Sequence, residues 1–432
     1  MGFLSCHLPC QSGKRDPYQL QHDHDHDHDH SHSETSSSNS SISSQISLPS
    51  VPSLTPPIEK SPSTPNHYCL TTLKGHSSYV FSLALSGKHL YSGSSDSEIR
   101  LWNRDPSSSS NHNLVRNIVA EGSSAVKSIV VLGDKLFTAH QDHKIRVWKV
   151  DHDVTSHQEY STVYQTHLKC IATLPTVNDR CMKLFSAKNY VKVRRHKKCT
   201  WVHHVDTVSA LALSTDGSLL YSVSWDRTFK VWRTSDFKCL ESVWNAHDDA
   251  INAIVLSNEG YVYTGSADKR IKVWKKHEGN KKHSLVATLE KHKSAVNALT
   301  ISTDGSVLYS GACDRSIIVW EKIDGDGADG DHMVVAGALR GHTKAILCLA
   351  VVSDLLCSGS ADKTVRIWRR GIENNYYCLA VFQGHRGPVK CLTASVNSRT
   401  AQDVTDSGNS YLVYSGSLDF DIKIWQILVP NF

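Results

Sequence analysis

The chain has 432 residues, of which 39% are hydrophobic and 21% charged, and its formal net charge at pH 7 is +5. This composition excludes a collagen-like chain, a coiled coil and a globally disordered protein. No apolar run approaches the roughly 18 residues of a membrane-spanning helix, and the first twenty residues do not resemble a secretory signal. We therefore expect a soluble intracellular protein, built as two or three average domains or as one large array of repeats.

The first 66 residues differ in composition from the rest of the chain. They carry a net charge of −4, against +9 for the remainder, and combine an alternating His-Asp run, 22–30, with many Ser and Thr residues. So few apolar side chains cannot offset the entropy lost on folding, and we predict a disordered tail over 1–66 without a functional metal site. Either this tail is phosphorylated by proline-directed kinases or it is a plain solvated linker; the candidate pairs are Thr55-Pro56, Ser61-Pro62 and Thr64-Pro65.

From Tyr68 onward one pattern recurs seven times: an Asp follows a Ser or Thr by four residues and precedes a Trp by six. Six copies also carry a His upstream, whereas the second copy has Gly122 in that place. Short segments of alternating apolar residues lie between these positions, which indicates β-strands too closely spaced for βαβ units. The repeats lie near 68–103, 114–150, 200–233, 239–275, 284–321, 334–369 and 377–426.

The recurring polar residues can form one network in each repeat. A buried indole N–H needs an acceptor, which a neighbouring hydroxyl supplies, and a turn Asp accepts from backbone N–H groups and from a His ring. A buried carboxylate without such partners would be costly. We therefore assign a structural role to His76, Ser92, Asp96, Trp102, His204, Asp226, Trp232, His247, Asp268, Trp274, His292, Asp314, Trp320, His342, Asp362, Trp368, His385, Asp419 and Trp425.

A Ser-His-Asp catalytic triad is the alternative interpretation of the same side chains. Catalysis needs one triad in one cleft, whereas six near-identical sets occur here. The chain also lacks a phosphate-binding loop and the spacing of a metal site. We therefore predict that the protein is not an enzyme and has no catalytic residues, no cofactor and no metal.

The repeated pattern resembles the WD40-repeat family, with Gly-His near the start of a unit and a WD-like dipeptide about 40 residues later. Here that dipeptide is degenerate, as in Trp102-Asn103 and Trp368-Arg369. The resemblance covers 68–427. It implies an all-β fold, a seven-bladed β-propeller over 67–428, in which the segment Tyr68–Leu73 completes the last blade. Within the family, segments such as YVKVRRHKK and NAHDDAIN resemble plant WD40 proteins of the Jingubang type, which implies a plant regulatory protein.

The repeat Trp residues of the second and third copies are 84 residues apart. Between Lys149 and Trp201 no Asp stands six residues before a Trp, so we predict one long insertion within 151–200 and not an eighth blade. The insertion contains the basic sequence VKVRRHKK, 191–198, with Arg194, Arg195, Lys197 and Lys198. This sequence could be a nuclear import signal, a phosphate contact or a solvated loop.

In the propeller that the resemblance implies, the His-bearing loops and the Asp-bearing turns share one face. Basic residues follow the turn Asp in several repeats, although this is ordinary in the family; they are Arg227, Lys269, Arg270, Arg315 and Lys363. With the insertion on the same side of blade three, we predict a basic face suited to an acidic protein segment. Trp225 is the only aromatic residue directly before a turn Asp, and we expect a partly exposed partner anchor there, in preference to local packing.

These features predict a non-catalytic, monomeric scaffold that binds protein partners, such as an acidic segment or a transcription regulator. The first alternative is a substrate receptor of a ubiquitin ligase, although no repeat ends in the Trp-Asp-x-Arg that such receptors often carry. A nucleic-acid-associated factor is the less favoured alternative, and a membrane span is not expected. The apparent lack of a secretory signal favours the cytoplasm, and the basic sequence is compatible with the nucleus.

Overall fold

The computed structural model describes residues 51–55, 66–104, 117–158, 161–184, 190–194, 197–277, 279–323, 332–371, 375–397 and 409–430. Within these residues the strands form seven four-stranded antiparallel sheets, the blades of a β-propeller, so the predicted fold class is confirmed. No helix among the described residues has the length and apolar character needed to cross a membrane.

The strands follow the ring in chain order, and the first one, β1 (His67–Leu73), precedes blade one. Blade one consists of β2 (Val80–Ser86), β3 (His89–Ser94), β4 (Glu98–Asn103) and β5 (Ile118–Glu121). Blade two consists of β6 (Val126–Leu132), β7 (Lys135–His140), β8 (Ile145–Gln158) and β9 (Ser161–Leu174). The connection to blade three contains α1 (Val177–Leu184), β10 (Tyr190–Arg194) and β11 (Lys197–Thr200).

The next three blades follow without further elements between them. Blade three consists of β12 (Val208–Leu213), β13 (Leu219–Ser224), β14 (Phe229–Arg233) and β15 (Cys239–Val243). Blade four consists of β16 (Ile251–Leu256), β17 (Tyr261–Ser266), β18 (Ile271–Lys275) and β19 (Ser284–Leu289). Blade five consists of β20 (Val296–Ile301), β21 (Val307–Ala312), β22 (Ile317–Ile323) and β23 (His332–Leu339).

The last two blades complete the ring. Blade six consists of β24 (Ile346–Val352), β25 (Leu355–Ser360), β26 (Val365–Arg370) and β27 (Tyr376–Phe382). Blade seven consists of β28 (Val389–Val396), β29 (Asn409–Ser417), β30 (Ile422–Val429) and β1. β1 pairs with β30 from His67, opposite Ile427, to Leu73, opposite Ile422, which is the closure that the repeats predict.

The core consists of seven apolar clusters, each shared by two neighbouring blades. Trp148 of blade two, for example, belongs to the same cluster as Tyr91 of blade one. A glycine in the second strand of several blades lets the next blade approach closely: a Cβ on Gly93 would lie 2.5 Å from Val126 Cγ1. Each blade therefore depends on its neighbours for burial of its apolar faces.

The residues between the repeats of blades two and three, for which one insertion is predicted, form two excursions at opposite ends of the blades. In the first, β8 and β9 pair with each other as far as Gln158 and Ser161, beyond the length of an ordinary blade strand. The second, 175–200, begins after Leu174, which pairs with Ile145 beside the Asp-bearing turn. The difference arises because 151–158 and 161–168 prolong a hairpin of the blade.

Part of the predicted tail belongs to the propeller. Ser53 forms a parallel bridge with Ala338 of β23, and Leu54 packs against an apolar cluster between blades five and six. The expectation that 1–66 is disordered therefore does not hold for residues 51–55, because Leu54 and Val51 supply the apolar contacts that the average composition hides. The predicted tail residues 1–50 and 56–65 lie outside the described residues.

Candidate protein-interaction face

The repeat His, hydroxyl, Asp and Trp residues meet at one end of each of six blades. In blade one, His76 Nδ1 lies 3.0 Å from Asp96 Oδ2, and its Nε2 lies 2.7 Å from the hydroxyl of Ser92. The indole N–H of Trp102 donates to the same hydroxyl at 2.8 Å. The equivalent sets, with His–Asp distances of 2.8–3.1 Å, are His204–Ser222–Asp226–Trp232, His247–Thr264–Asp268–Trp274, His292–Ser310–Asp314–Trp320, His342–Ser358–Asp362–Trp368 and His385–Ser415–Asp419–Trp425.

These networks fix the Asp-bearing turns and keep substrates away from the hydroxyl groups. Ser92 is 0% exposed, and its oxygen is engaged by both His76 and Trp102, so no substrate can reach it. Burial favours a raised pKa for the Asp96 carboxyl, but hydrogen bonds and charge from His76, together with backbone N–H groups, outweigh it and lower the pKa to about 2. The carboxylate is thus ionised and tied to the loop that carries the His.

One of these sets has the composition of a metal site. Ligand atoms of His76, Asp96 and Glu98 lie within 4.8 Å of one another. However, Asp96 is bonded to His76, and Glu98 forms an ion pair with Arg100 at 2.7 Å. The same His–Asp pair recurs in five other blades, so the arrangement fits the structural network better than it fits an ion.

Blade two builds its network with a different His. The second repeat has Gly122 at the expected position, and sequence analysis assigned no His to this blade. In the structure His140, at the end of β7, places its Nε2 2.7 Å from the hydroxyl of Thr138 and its Nδ1 3.1 Å from the carbonyl oxygen of Ser124. Trp148 donates to Thr138 at 2.8 Å, as the Trp does in the other blades.

The use of His140 in place of the upstream His changes the charges of the blade-two network. Burial and the nearby charge of Arg146 lower the pKa of His140 to about 4. Asp142, left without a His partner, forms an ion pair with Arg146 at 2.6 Å. A sequence signal for this arrangement exists: His140 stands two residues after the hydroxyl, where the other repeats have Ser94, Ser224, Ser266, Ala312, Ser360 and Ser417.

The innermost strand of every blade carries a β-bulge near this end. The pairing register shifts at the second strand residue in all seven blades, that is at Phe81, Lys127, Ser209, Asn252, Asn297, Leu347 and Lys390. A bulge changes the direction in which the side chain of the bulged residue points. Three bulge residues donate to a carbonyl oxygen of the next blade at 2.5–3.0 Å: Ser209 to Ile251, Asn252 to Val296, and Asn297 to Ile346. The other four positions hold two lysines and two large apolar residues.

Four aromatic side chains and one lysine form a continuous arc across blades seven, one, two and three. The Lys127 ammonium lies 3.7 Å from the centroid of the Phe81 ring and 5.9 Å from that of Trp225. Tyr79 stands between Phe81 and Phe420, with ring centroids 6.3 and 5.6 Å away. Phe420 is 40% exposed, and the other four residues are half-buried. We call these five residues the aromatic arc.

Several of the predicted basic partner residues lie at the tips of the Asp-bearing turns. Four of them are exposed and have φ values of 68–74°, namely Arg227, Lys269, Arg315 and Lys363. Phe420 occupies the same position in blade seven, with a φ of 75°. Arg270 differs from the other predicted residues because it forms ion pairs with Asp248 and Glu290, both at 2.7 Å. Its charge is therefore largely neutralised, and it is a weaker candidate than the sequence suggests.

The basic sequence of the insertion lies in a short hairpin. Arg194 is in β10, Lys197 and Lys198 are in β11, and the two strands pair; Arg195 lies outside the described residues. Because β9 ends and β12 begins at the end of the blades that carries the His and Asp residues, the connection leaves from and returns to that face.

Sequence reasoning singled out Trp225 but missed the rest of the aromatic arc. Phe420 could have been noticed, since the other turn tips carry small, basic or His residues at this position. Phe81 and Lys127 could not, because only the strand pairing shows that both occupy bulges.

Three known proteins illustrate how far the similarity extends. The chain is 27% identical over 230 residues to an uncharacterized WD repeat-containing protein of Schizosaccharomyces pombe, which covers 50% of this chain and 60% of that protein. It is 32% identical over 205 residues to the protein ROOT INITIATION DEFECTIVE 3 of Arabidopsis thaliana, 44% and 45% of the two chains. It is 24% identical over 264 residues to a p21-activated protein kinase-interacting protein 1-like of Danio rerio, a match that covers 53% of this chain and 66% of that protein. The chain thus spans less than two thirds of each relative.

A family model extends this similarity to most of the propeller. The model described as WD domain, G-beta repeat matches residues 67–103, 196–233, 237–275, 283–321, 333–369 and 376–426, together more than half of the chain. Blade two is not matched, and it is the blade in which His140 replaces the usual His. The matched segments carry the His, hydroxyl, Asp and Trp networks described above. The chain therefore belongs to the WD40-repeat family.

Proposed function

We propose that this protein is a non-catalytic scaffold that binds a protein partner through the aromatic arc and the basic turn tips of blades three to six, on the same face. WD40 propellers are in general non-catalytic scaffolds for protein interactions. The observation that carries the proposal is the arc itself, because it groups five partly exposed residues that neither fill the core nor hold a turn. Aromatic side chains of this kind dominate the binding energy of protein interfaces.

The chemistry of the face suits an extended partner segment with apolar and acidic side chains. Phe420 and Trp225 offer apolar surface, while Lys127 between the rings offers a positive charge. Exposed basic residues at four turn tips attract carboxylates and accelerate their approach. A partner rich in Lys or Arg would meet like charge on this face.

We further propose a regulatory role in a plant, in the cytoplasm and the nucleus. The segments that resemble plant proteins of the Jingubang type support this role, and so does the similarity to an Arabidopsis protein. The zebrafish relative is by its name a protein that interacts with a kinase, which is consistent with a scaffold. Fluorescent fusions of the intact chain, with and without charge-neutralising changes at Lys197 and Lys198, test nuclear entry.

The binding proposal is tested with peptides selected from a phage-displayed random library on the intact protein. We expect the selected peptides to combine acidic and large apolar residues, and Trp225→Ala and Phe420→Ala to weaken their binding about 10–30-fold. Tyr377→Ala is the matched control, because Tyr377 is 44% exposed on the outer strand of blade six. Unchanged affinity in a folded Trp225→Ala, Phe420→Ala double variant would contradict the proposal.

The contribution of charge is tested within one blade. Arg227 lies at the turn tip of blade three, whereas Arg233 lies at the other end of β14 and is 46% exposed. We expect Arg227→Glu to weaken peptide binding and Arg233→Glu to leave it unchanged. Equal effects of the two substitutions would show that only the overall charge of the protein matters, which would contradict a binding face.

A further inference from the structure

The segment Val51–Thr55 lies along the outer edge of blade five, where Ser53 forms an isolated parallel bridge with Ala338. The Ala338 N–H donates to the Pro52 carbonyl oxygen at 2.9 Å, and the Leu54 N–H donates to the Ala338 carbonyl oxygen at 3.0 Å. The Tyr376 N–H, in blade six, donates to the Leu54 carbonyl oxygen at 3.0 Å. The segment therefore bridges the outer strands of two blades.

The side chain of Leu54 occupies a notch that exists because residue 337 is glycine. A Cβ on Gly337 would lie 2.4 Å from Leu54 Cγ. Leu54 also packs against the cluster between blades five and six, which includes Tyr309. At the other end of the segment, the Arg340 guanidinium donates to the Val51 carbonyl oxygen at 2.8 Å. Backbone pairing, a side-chain notch and a charged donor thus converge on five residues.

This notch distinguishes blade five from the other blades in which the same register is recorded. Gly337 pairs with Val319, the residue before the repeat Trp. Residues with a side chain occupy the equivalent position of the other outer strands, namely Thr71, Ala172, Glu241, Ala287 and Ala380. In each of these blades a Cβ stands where Gly337 leaves the close approach to Leu54 open. The groove is therefore specific in location and in the residue that it accepts.

We propose that this groove is a strand-docking site for the chain's own segment Val51–Thr55, and that docking withholds Thr55 from proline-directed kinases. Strand addition to a sheet edge is a recurring mode of peptide recognition. Thr55 is followed by Pro56, and its hydroxyl lies 2.8 Å from that of Ser53. A kinase has to align the substrate hydroxyl with its own catalytic Asp, which a segment bound to two blades cannot allow.

Phosphorylation is therefore confined to the released segment. In the kinase reaction, Thr55 Oγ1 forms a bond to the γ-phosphorus of ATP, the bond from that phosphorus to ADP breaks, and the hydroxyl proton passes to the catalytic Asp of the kinase. An edge segment held by few hydrogen bonds opens locally without unfolding the domain. The docking equilibrium thus sets the rate at which Thr55 is modified.

The test uses the full chain with Gly337→Ala. Alanine is the residue that blades two, four and six carry at this position, so the blade should fold while the added Cβ excludes Leu54. Hydrogen exchange should show lost protection at the amides of Leu54, Ala338 and Tyr376. Phosphorylation of Thr55 by a recombinant mitogen-activated protein kinase should rise about 5–30-fold, the factor that corresponds to a loss of about 1–2 kcal/mol in docking free energy.

Two other pairs in the same chain, Ser61-Pro62 and Thr64-Pro65, serve as internal references for the kinase. Only the rate at Thr55 relative to these two should change. Leu54→Asp is the second variant, because it disrupts docking without altering any residue of the blades, and it should reproduce both effects. Adding Gly337→Ala to Leu54→Asp should change neither the amide protection nor the relative phosphorylation rate of Thr55 any further.

Three results would overturn the proposal. The first is an unprotected Ala338 amide in the unmodified protein, and the second is an unchanged relative rate at Thr55 in Leu54→Asp. The third is a dimer by light scattering that dissociates in Leu54→Asp, since the occupant would then be the segment of a second copy.

Discussion

The ammonium nitrogen of Lys127 lies 3.7 Å from the centroid of the Phe81 ring, so blade two holds a cation against an aromatic face of blade one. Both residues occupy the bulge of an innermost strand. Such a contact contributes about 0.5–2 kcal/mol, depending on how far it is desolvated. The aromatic arc is thereby preorganised, which lowers the entropy that a partner would otherwise lose on binding.

Lys127→Met keeps most of the side-chain stem and removes the charge. We expect it to weaken the binding of the selected acidic peptides about 3–10-fold at low salt, with a smaller loss at high salt where charges are screened. Isothermal titration calorimetry at two salt concentrations measures both effects. Lys88→Met is the control, because Lys88 is exposed in the turn between β2 and β3 at the other end of the blade. A loss that did not depend on salt would contradict a role for the charge.

Ser92→Ala removes the shared acceptor of a blade network. The indole N–H of Trp102 and Nε2 of His76 would both lose their partner in a buried site. We expect the free energy of unfolding to fall by about 2–4 kcal/mol, since each unsatisfied buried group costs about 1–3 kcal/mol. Denaturant unfolding measures the change, and Ser77→Ala, which alters an exposed side chain in the same blade, should cost little. Equal effects of the two substitutions would refute the network.

Acid should destabilise the six His–Asp blades through their carboxylates. The pKa of Asp96 is lowered from 3.8 to about 2, so its stabilising contribution is complete above pH 4 and is lost as the pH falls from about 4 to about 2. The shift corresponds to about 2 kcal/mol. Asp96→Asn should lower the stability at neutral pH and reduce its dependence on pH in this range, as followed by unfolding midpoints. Asp134→Asn, an exposed change in blade two, should leave that dependence intact.

His140 should make blade two sensitive to a different pH range. Its pKa is lowered from 6.5 to about 4, so the unfolded chain binds a proton at a higher pH than the folded chain does. Stability therefore falls as the pH drops from about 6.5 to about 4, by about 3 kcal/mol for this group. Midpoints of His140→Gln across this range should show a shallower decline than those of His143→Gln, an exposed change in the same turn. Parallel curves for the two variants would contradict the assignment.

The networks could be predicted from the sequence because their geometry follows from fixed spacings. Ser92 and Trp102 are ten residues apart in neighbouring strands of one hairpin, and Asp96 is in the turn between those strands. Such local pairing repeats whenever the spacing repeats, so seven copies predict seven blades. The closure by β1 was also predictable, since the last repeat lacks its fourth strand.

Other features depend on which residues of different blades meet. The aromatic arc joins Phe420 of blade seven to Trp225 of blade three across blades one and two, and no spacing in the chain encodes that proximity. The contact of Leu54 with Gly337 joins residues 283 positions apart and depends on the absence of one Cβ. His140 is a third feature that the spacing of the repeats did not predict. The imidazole that contacts the Thr138 hydroxyl comes from a different position of the repeat than in the other six blades.

The pairing of β1 with β30 also determines how long β1 remains unpaired during synthesis. About 350 residues separate Leu73 from its partner Ile422. At ~5–20 residues per second, β1 waits about 20–70 s before the strand that covers it has been made. Throughout that time the edge of β1 is open to other chains, and so is the first blade, whose cluster with blade seven cannot yet form. The synthesis of β30 thus ends the period in which β1 and blade one lack the strand that covers them.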